Sequence, residues 1–152
     1  MTNRLYNLLF PLLNTLRAIL SPVSFGVQGL VEQGGKLVLV RHSYTTGWHL
    51  PGGGVKRGEP PAQALLRELG EEIGLTRSGT PELLCLHSRL VWWTTNIIAL
   101  YRVTDAAFDF KPNLEIREIV LADPSAPPAG TTRRALHQLA HYTAMRGQAP
   151  SS

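Results

Sequence analysis

Three glutamates, Glu68, Glu71 and Glu72, stand at positions i, i+3 and i+4 of a stretch that also holds Glu59 and Arg67. At about 100° per residue this spacing gathers the three carboxylates into one arc of a helix. Like charges so placed repel by about 0.2–0.5 kcal/mol per pair, and Arg67 offsets only part of that. A solvated acidic face is the bland reading of such a cluster. The surroundings favour another. The acids lie beside an apolar stripe, Ala62, Leu66, Leu69 and Ile73, and follow a glycine run, Gly52-Gly53-Gly54. Hard divalent cations take oxygen ligands in clusters of this kind, and a bound ion removes the repulsion. We therefore read the acids as a metal site.

The elements that must hold this site follow from the same stretch. Glycines after Pro51 let backbone approach a ligand closely. Glu59-Pro60-Pro61 opens a helix, because proline is tolerated at the first helical positions. The helix is predicted from Pro60 to Ile73, with Gly74 at the position that ends it.

Gly53, five residues, Glu59, seven residues, Arg67-Glu68-Leu69, one residue, Glu71-Glu72, one residue, Gly74-Leu75: this pattern resembles the Nudix box at every defined position. The box covers Gly53 to Leu75, and the layout of the chain from Phe25 to Tyr142 is similar to the same family's domain. The resemblance implies an α/β/α sandwich with a mixed β-sheet and a loop-helix-loop catalytic motif. It implies hydrolysis, with Mg²⁺ or Mn²⁺, of a phosphoanhydride in a nucleoside diphosphate linked to another moiety, such as a nucleoside triphosphate or a nucleotide sugar. By position, Glu68, Glu71, Glu72 and the backbone carbonyl of Gly52 would hold the metal, and Arg67 would orient the glutamates. Glu59 would be a structural partner inside the box loop, and Gly53 and Gly74 conformational residues. The general base would be a box glutamate such as Glu68 or an acid on a later loop. Glu115 and Glu118 are the candidates there, Glu118 preferred, with the solvated side of a strand as their alternative. Of the subfamily markers, Leu90 stands where the ADP-ribose branch carries proline. Trp92 and Trp93 occupy the region where the dinucleoside-polyphosphate branch carries tyrosine. The same box also admits a nucleotide sensor that does not hydrolyse, and an RNA 5′-end pyrophosphohydrolase.

Composition sets the bounds. A chain of 152 residues with 43% hydrophobic and 17% charged residues suits one globular domain. A net charge of +4 is compatible with a polyanionic nucleotide. The basic residues are scattered, so no stable nucleic-acid complex is expected. Cys85 is the single cysteine, which excludes an intrachain disulfide. It lies among leucines and reads as a core residue, and a cytoplasmic setting follows as the default.

Residues 1–21 form an amphipathic N-terminal extension, with Leu5, Leu8, Leu9, Leu12, Leu13 and Leu16 at helical spacing. Arg4, Asn7, Asn14 and Arg17 interrupt it and Pro11 would kink it, which argues against a transmembrane segment and makes a poor signal peptide. Such a stripe is expected to pack on the domain or on a second subunit, giving a homodimer, with peripheral membrane contact the lesser reading. The domain proper spans 22–146. Strands are predicted over Phe25–Glu32, Lys36–His42, Glu82–Arg89, Val91–Val103 and Leu114–Leu121, and a closing helix over Thr131–Met145. Residues 77–81, 105–111 and 123–130 read as connections. The tail 147–152 is expected to be disordered. Arg41 ends a strand running towards the site and is a candidate phosphate contact, with His42 and His49 ranked below it. Trp48 and Tyr101 read as core. Trp92 and Trp93 lie in a predicted strand, where neighbours face opposite sides, so one of them is a candidate for stacking on a base.

Overall fold

The computed structural model describes residues 23–147 together with Leu16. The amphipathic extension, Leu16 apart, and residues 148–152 of the tail lie outside the described residues. Gly147 belongs to the last helix rather than to the tail.

The chain runs β1 (Val23–Gln33), β2 (Lys36–His42), α1 (Pro61–Ile73), β3 (Leu75–Arg77), β4 (Glu82–Val91), β5 (Thr94–Val103), β6 (Ala107–Phe108), β7 (Ile116–Ala122) and α2 (Arg133–Gly147). Five strands form one mixed sheet in the order β4-β5-β1-β2-β7. Within it β1 and β5 are parallel, and the other pairs are antiparallel. Each face carries one helix. Val27, Val31, Val38 and Val40 pack on α1 through Leu65, Leu69 and Ile73. Their strand neighbours Leu30, Leu37 and Leu39 face the other way, onto Leu139 and Tyr142 of α2. Strand alternation thus builds two cores from one sheet. The fold is the α/β/α sandwich with a mixed sheet.

Two departures from the expected elements have simple physical origins. Leu75–Arg77, with only Arg77 expected in a connection, and Ala107–Phe108, expected wholly in one, pair as a two-stranded ribbon. Trp92 and Trp93 are not strand residues. They are the two-residue turn joining β4 to β5, and Trp92 sits at φ +60°. A bulky residue there is uncommon, since such turns favour glycine or asparagine. Both indoles are exposed, at 78% and 70%.

The sheet is split where the site lies. β1 and β2 pair only near their hairpin, at Glu32–Leu37 and Gln33–Lys36. Beyond that they diverge, and the loop before α1 fills the gap. Val27 and Gly29 donate backbone hydrogen bonds to the carbonyls of Gly53 and Pro51, each at 2.9 Å, and Val55 donates to Phe25. On the other side His49 exchanges two backbone bonds with Val40. The glycine loop is therefore held on both flanks by strand edges.

Candidate active site

The helix bearing the acids begins as the sequence suggests, with Pro60 extended before the first turn and Pro61 inside it. It ends at Gly74, whose left-handed conformation returns its N–H to the Gly70 and Leu69 carbonyls. The buried side of α1 carries Ala64, Leu65, Leu69 and Ile73, and with them Glu72.

Glu72 is the centre of the arrangement. It is 1% exposed. Its Oε2 accepts a 2.8 Å hydrogen bond from the Gly52 N–H, while its Oε1 is buried without a partner. Burial pushes the carboxyl up to about 8, with the Gly52 N–H opposing and the charges of Glu115, Glu68 and Glu71 adding to the rise. A buried carboxylate with one unpartnered oxygen, among other carboxylates, is costly unless a cation joins it.

Around it the other box residues form a tight net. Arg67 donates to Glu59 through Nε and Nη2 at 2.8 and 2.9 Å, to Glu68 through Nη1 at 2.6 Å, and to the Gly54 carbonyl at 3.0 Å. Glu71 stands 3.5 Å from the same guanidinium and is half exposed. Hydrogen bonds from Arg67, with the Lys56 N–H, hold Glu59 down to about 2. Glu68 lies directly against Gly53, where any Cβ would overlap its carboxyl group.

The later loop contributes an acid, and it is Glu115. His42, Glu72 and Glu115 each offer a ligand atom, and these atoms lie within 4.8 Å of one another. Asn113 sets this geometry. Its amide nitrogen reaches the last carbonyls of α1 at Glu71 and Glu72, and its oxygen accepts from the N–H groups of Glu115 and Ile116. Sequence reading passed over Asn113; an Asn just before a strand, able to bond its own backbone two residues on, was the available signal. His42 has a buried, unpartnered Nδ1, and its ring lies 5.2 Å from that of His49.

Glu118, preferred above, sits elsewhere. It pairs with Arg41 at 3.1 Å, on the sheet face opposite Glu72. A bulge between Arg41 and His42 breaks the register, so that Ile116 faces the α1 core and Glu118 the other layer. Arg41 is likewise turned away from the acids, 4.2 Å above the ring of buried Trp48. Tyr101 is in the core, and Trp92 and Trp93 lie at the far tip of the β4–β5 hairpin.

The donor set fits a hard cation: the carboxylates of Glu68, Glu71 and Glu115 lie close enough to act on the Glu72 carboxyl, whose Oε1 is buried without a partner. The glycines give this fit two separable dependencies. Gly53→Ala should cost metal affinity about tenfold or more with little change in melting temperature, because only the Glu68 side chain must yield. Gly52→Ala should destabilise the fold by about 3 kcal/mol or more, because φ is +142° and a Cβ would overlap the Val27 carbonyl of β1. Metal titration and thermal melts on the two variants would separate these outcomes.

The family model for the NUDIX domain matches residues 20–124. The chain belongs to the NUDIX domain family. Two curated relatives named RNA pyrophosphohydrolase come from Hydrogenovibrio crunogenus and Proteus mirabilis. The first is 45% identical over 49 residues, 32% of this chain and 30% of the relative. The second is 35% identical over 74 residues, 43% of this chain and 42% of the relative. The matches thus span less than half the length of either relative. Among solved structures, the E. coli ORF135 protein superposes with a TM-score of 0.69 at 25% identity, covering 87% of this chain and 96% of that one. A MutT NUDIX hydrolase from Burkholderia pseudomallei superposes at 0.68 with 19% identity, covering 78% and 96%, which is a likeness of fold. No helix among the described residues is long and apolar enough to cross a membrane.

Proposed function

We propose that the protein is a metal-dependent pyrophosphohydrolase that cleaves a phosphoanhydride bond in a nucleoside diphosphate linked to another moiety. The observation that carries this reading is the buried Glu72 carboxyl, with one oxygen unpartnered, beside Glu68 and Glu115. Mg²⁺ or Mn²⁺ would be held by Glu68, Glu71, Glu72 and the Gly52 carbonyl, and when bound would neutralise the charge of the diphosphate. Arg67 orients Glu68 and Glu71 for that task, and Glu59 keeps Arg67 in place. Water attacks phosphorus, the bridging P–O bond breaks, and the leaving phosphate takes the bond's electrons. A carboxylate must receive the proton of the water. Glu115 suits this better than Glu118, since it shares the site with Glu72 and is already oriented by Asn113 and by Tyr44, whose hydroxyl donates to it at 3.3 Å.

An RNA 5′ end is the second reading, favoured by the two relatives that bear the name RNA pyrophosphohydrolase. One experiment addresses both. The protein is incubated with Mg²⁺ or Mn²⁺ and a panel of nucleoside triphosphates, nucleotide sugars and 5′-triphosphorylated RNA, and phosphate and pyrophosphate release are measured. Release that requires the metal is expected from at least one member, and RNA as the preferred member would favour the second reading. No release from any member, with tight nucleotide binding, would overturn the hydrolase reading in favour of a sensor.

A further inference from the structure

The β4–β5 hairpin presents an apolar surface that no other element among the described residues covers. Trp92 and Trp93 form its turn with both indoles in solvent, and neither belongs to either core. The positive φ of Trp92 is a strained conformation for a bulky residue, and strain of this kind gathers at places with a function. Behind the turn, Val23, Leu83, Leu86 and Leu90 are each exposed by half or more. Their register puts them on one face. Leu83, Leu86 and Leu90 stand opposite Tyr101, Ala99 and Thr95 of β5, and Val23 of β1 stands beside the same Thr95. Ala99 and Tyr101 turn towards α1, so the four apolar side chains lie on the α1 side of the sheet, beyond the part that α1 covers.

Charge and chain path narrow the occupant. No Asp or Glu lies within residues 1–31 or 83–104. Arg89 is exposed and shares a depression with Arg133 and Arg134 of α2. It stands three positions before Trp92, roughly 10 Å along the strand. Indoles foremost and arginines behind them is the depth order of a bilayer interface, where aromatic rings sit among the headgroups and cations meet anionic lipid. Because Val23 pairs with Thr95, the chain enters β1 from the end of the sheet that carries the indoles. The extension leading there lies outside the described residues, Leu16 apart. Its sequence sets leucines at helical spacing, with Arg4 and Arg17 and no acid. A second copy paired along the β4 edge would cover that edge's backbone and leave the indoles in water, whereas a lipid surface meets them end-on.

We propose that the Trp92–Trp93 tip, with Leu90 and Val23 behind it, docks the protein on an anionic lipid bilayer, the indoles entering the interface and Arg89 facing the headgroups. The leucines and arginines of the extension would add to the same contact. None of the acidic box residues takes part, so the proposal stands apart from the hydrolase reading.

The full chain is titrated with vesicles of phosphatidylcholine alone and of phosphatidylcholine with an equal part of phosphatidylserine. Binding is read by co-sedimentation and by tryptophan emission. Trp48 is buried, so a blue shift on adding vesicles reports Trp92 and Trp93. The wild type should bind the anionic vesicles about tenfold or more tighter than the neutral ones, with a blue shift, and lose that preference in about 1 M salt. Trp92→Gly with Trp93→Ser suits the positive φ of the turn and removes both indoles. This double variant should keep its melting temperature and bind anionic vesicles about tenfold or more weakly. Arg89→Glu should weaken the same binding about fivefold or more and leave binding to neutral vesicles as it was. A wild type that ignores anionic vesicles, or a folded double variant that binds them as the wild type does, would sink the proposal. So would a dimer, formed without vesicles, that the double variant dissociates, since the indoles would then belong to a second copy.

Discussion

Glu72→Gln should make the metal-free protein more stable by about 2–4 kcal/mol at pH 8.5 while lowering metal-dependent turnover by about a hundredfold or more. The two effects have one cause. The carboxyl of Glu72 is held in the folded protein at about 8, against 4.5 for the free group. Below pH 4.5 both folded and unfolded chains carry this proton, and the group costs the fold nothing. Between 4.5 and 8 the unfolded chain releases it and the folded chain keeps it, so stability from this site falls as pH rises. Above 8 the full cost of a buried, incompletely partnered charge is present. Glutamine keeps the shape and the bond from the Gly52 N–H, and removes the charge. Denaturant titrations of wild type and variant in EDTA, at pH 5 and pH 8.5, measure the difference. Referring one to the other cancels the opposing contribution of His42, whose burial lowers its pKa. A difference that does not grow between the two pH values would remove Glu72 from the role given to it. Added Mg²⁺ should reverse the order, stabilising wild type and leaving the variant unaffected.

Arg67→Lys should lower turnover by about a hundredfold although the charge is retained. The guanidinium spans Glu59, Glu68, Glu71 and the Gly54 carbonyl at once. Its planar fork supplies donors in fixed directions, and an ammonium offers three donors from a single point. Lysine could satisfy Glu59 or Glu68, but not both in their present positions. The loss should appear in kcat together with a raised metal requirement, since what is disturbed is the placement of ligands. A lysine variant that works at the wild-type rate and metal concentration would show that Arg67 is only a counter-charge.

The box was legible because its chemistry is local. Three acids at helical spacing, prolines before them and Gly74 after them determine a helix and the face its carboxylates share, whatever packs behind it. The sheet was legible from β-branched runs. What could not be read depends on partners distant in the chain. Leu75–Arg77 becomes a strand only because Ala107–Phe108 lies beside it. Glu115 stands in the loop just before β7 and Glu118 within the strand, and the side that Glu118 takes relative to Ile116 is set by a bulge opposite Arg41 and His42. Trp92 and Trp93 look like strand residues by composition, and a positive φ at a tryptophan is a conformation that propensity disfavours. The unpartnered oxygen of Glu72 has no signature in sequence, because burial of a single atom is a property of the assembled layers.

The parallel pairing of β1 with β5 also fixes when the site can exist. Val23 meets Thr95 and Val31 meets Val103, so the whole acidic helix lies in the connection between the two strands. On a ribosome, adding about 5–20 residues per second, the glycine loop and α1 are synthesised seconds before β5 has emerged. During that interval β1 has only one edge to offer, and the loop that hangs from its other edge has no completed sheet behind it. Contacts this distant in sequence slow folding towards the range of about milliseconds to seconds. The nascent chain therefore carries its full set of acidic groups before it has the cradle that buries Glu72, and Glu72 titrates as an ordinary carboxylate until the central pair of strands closes.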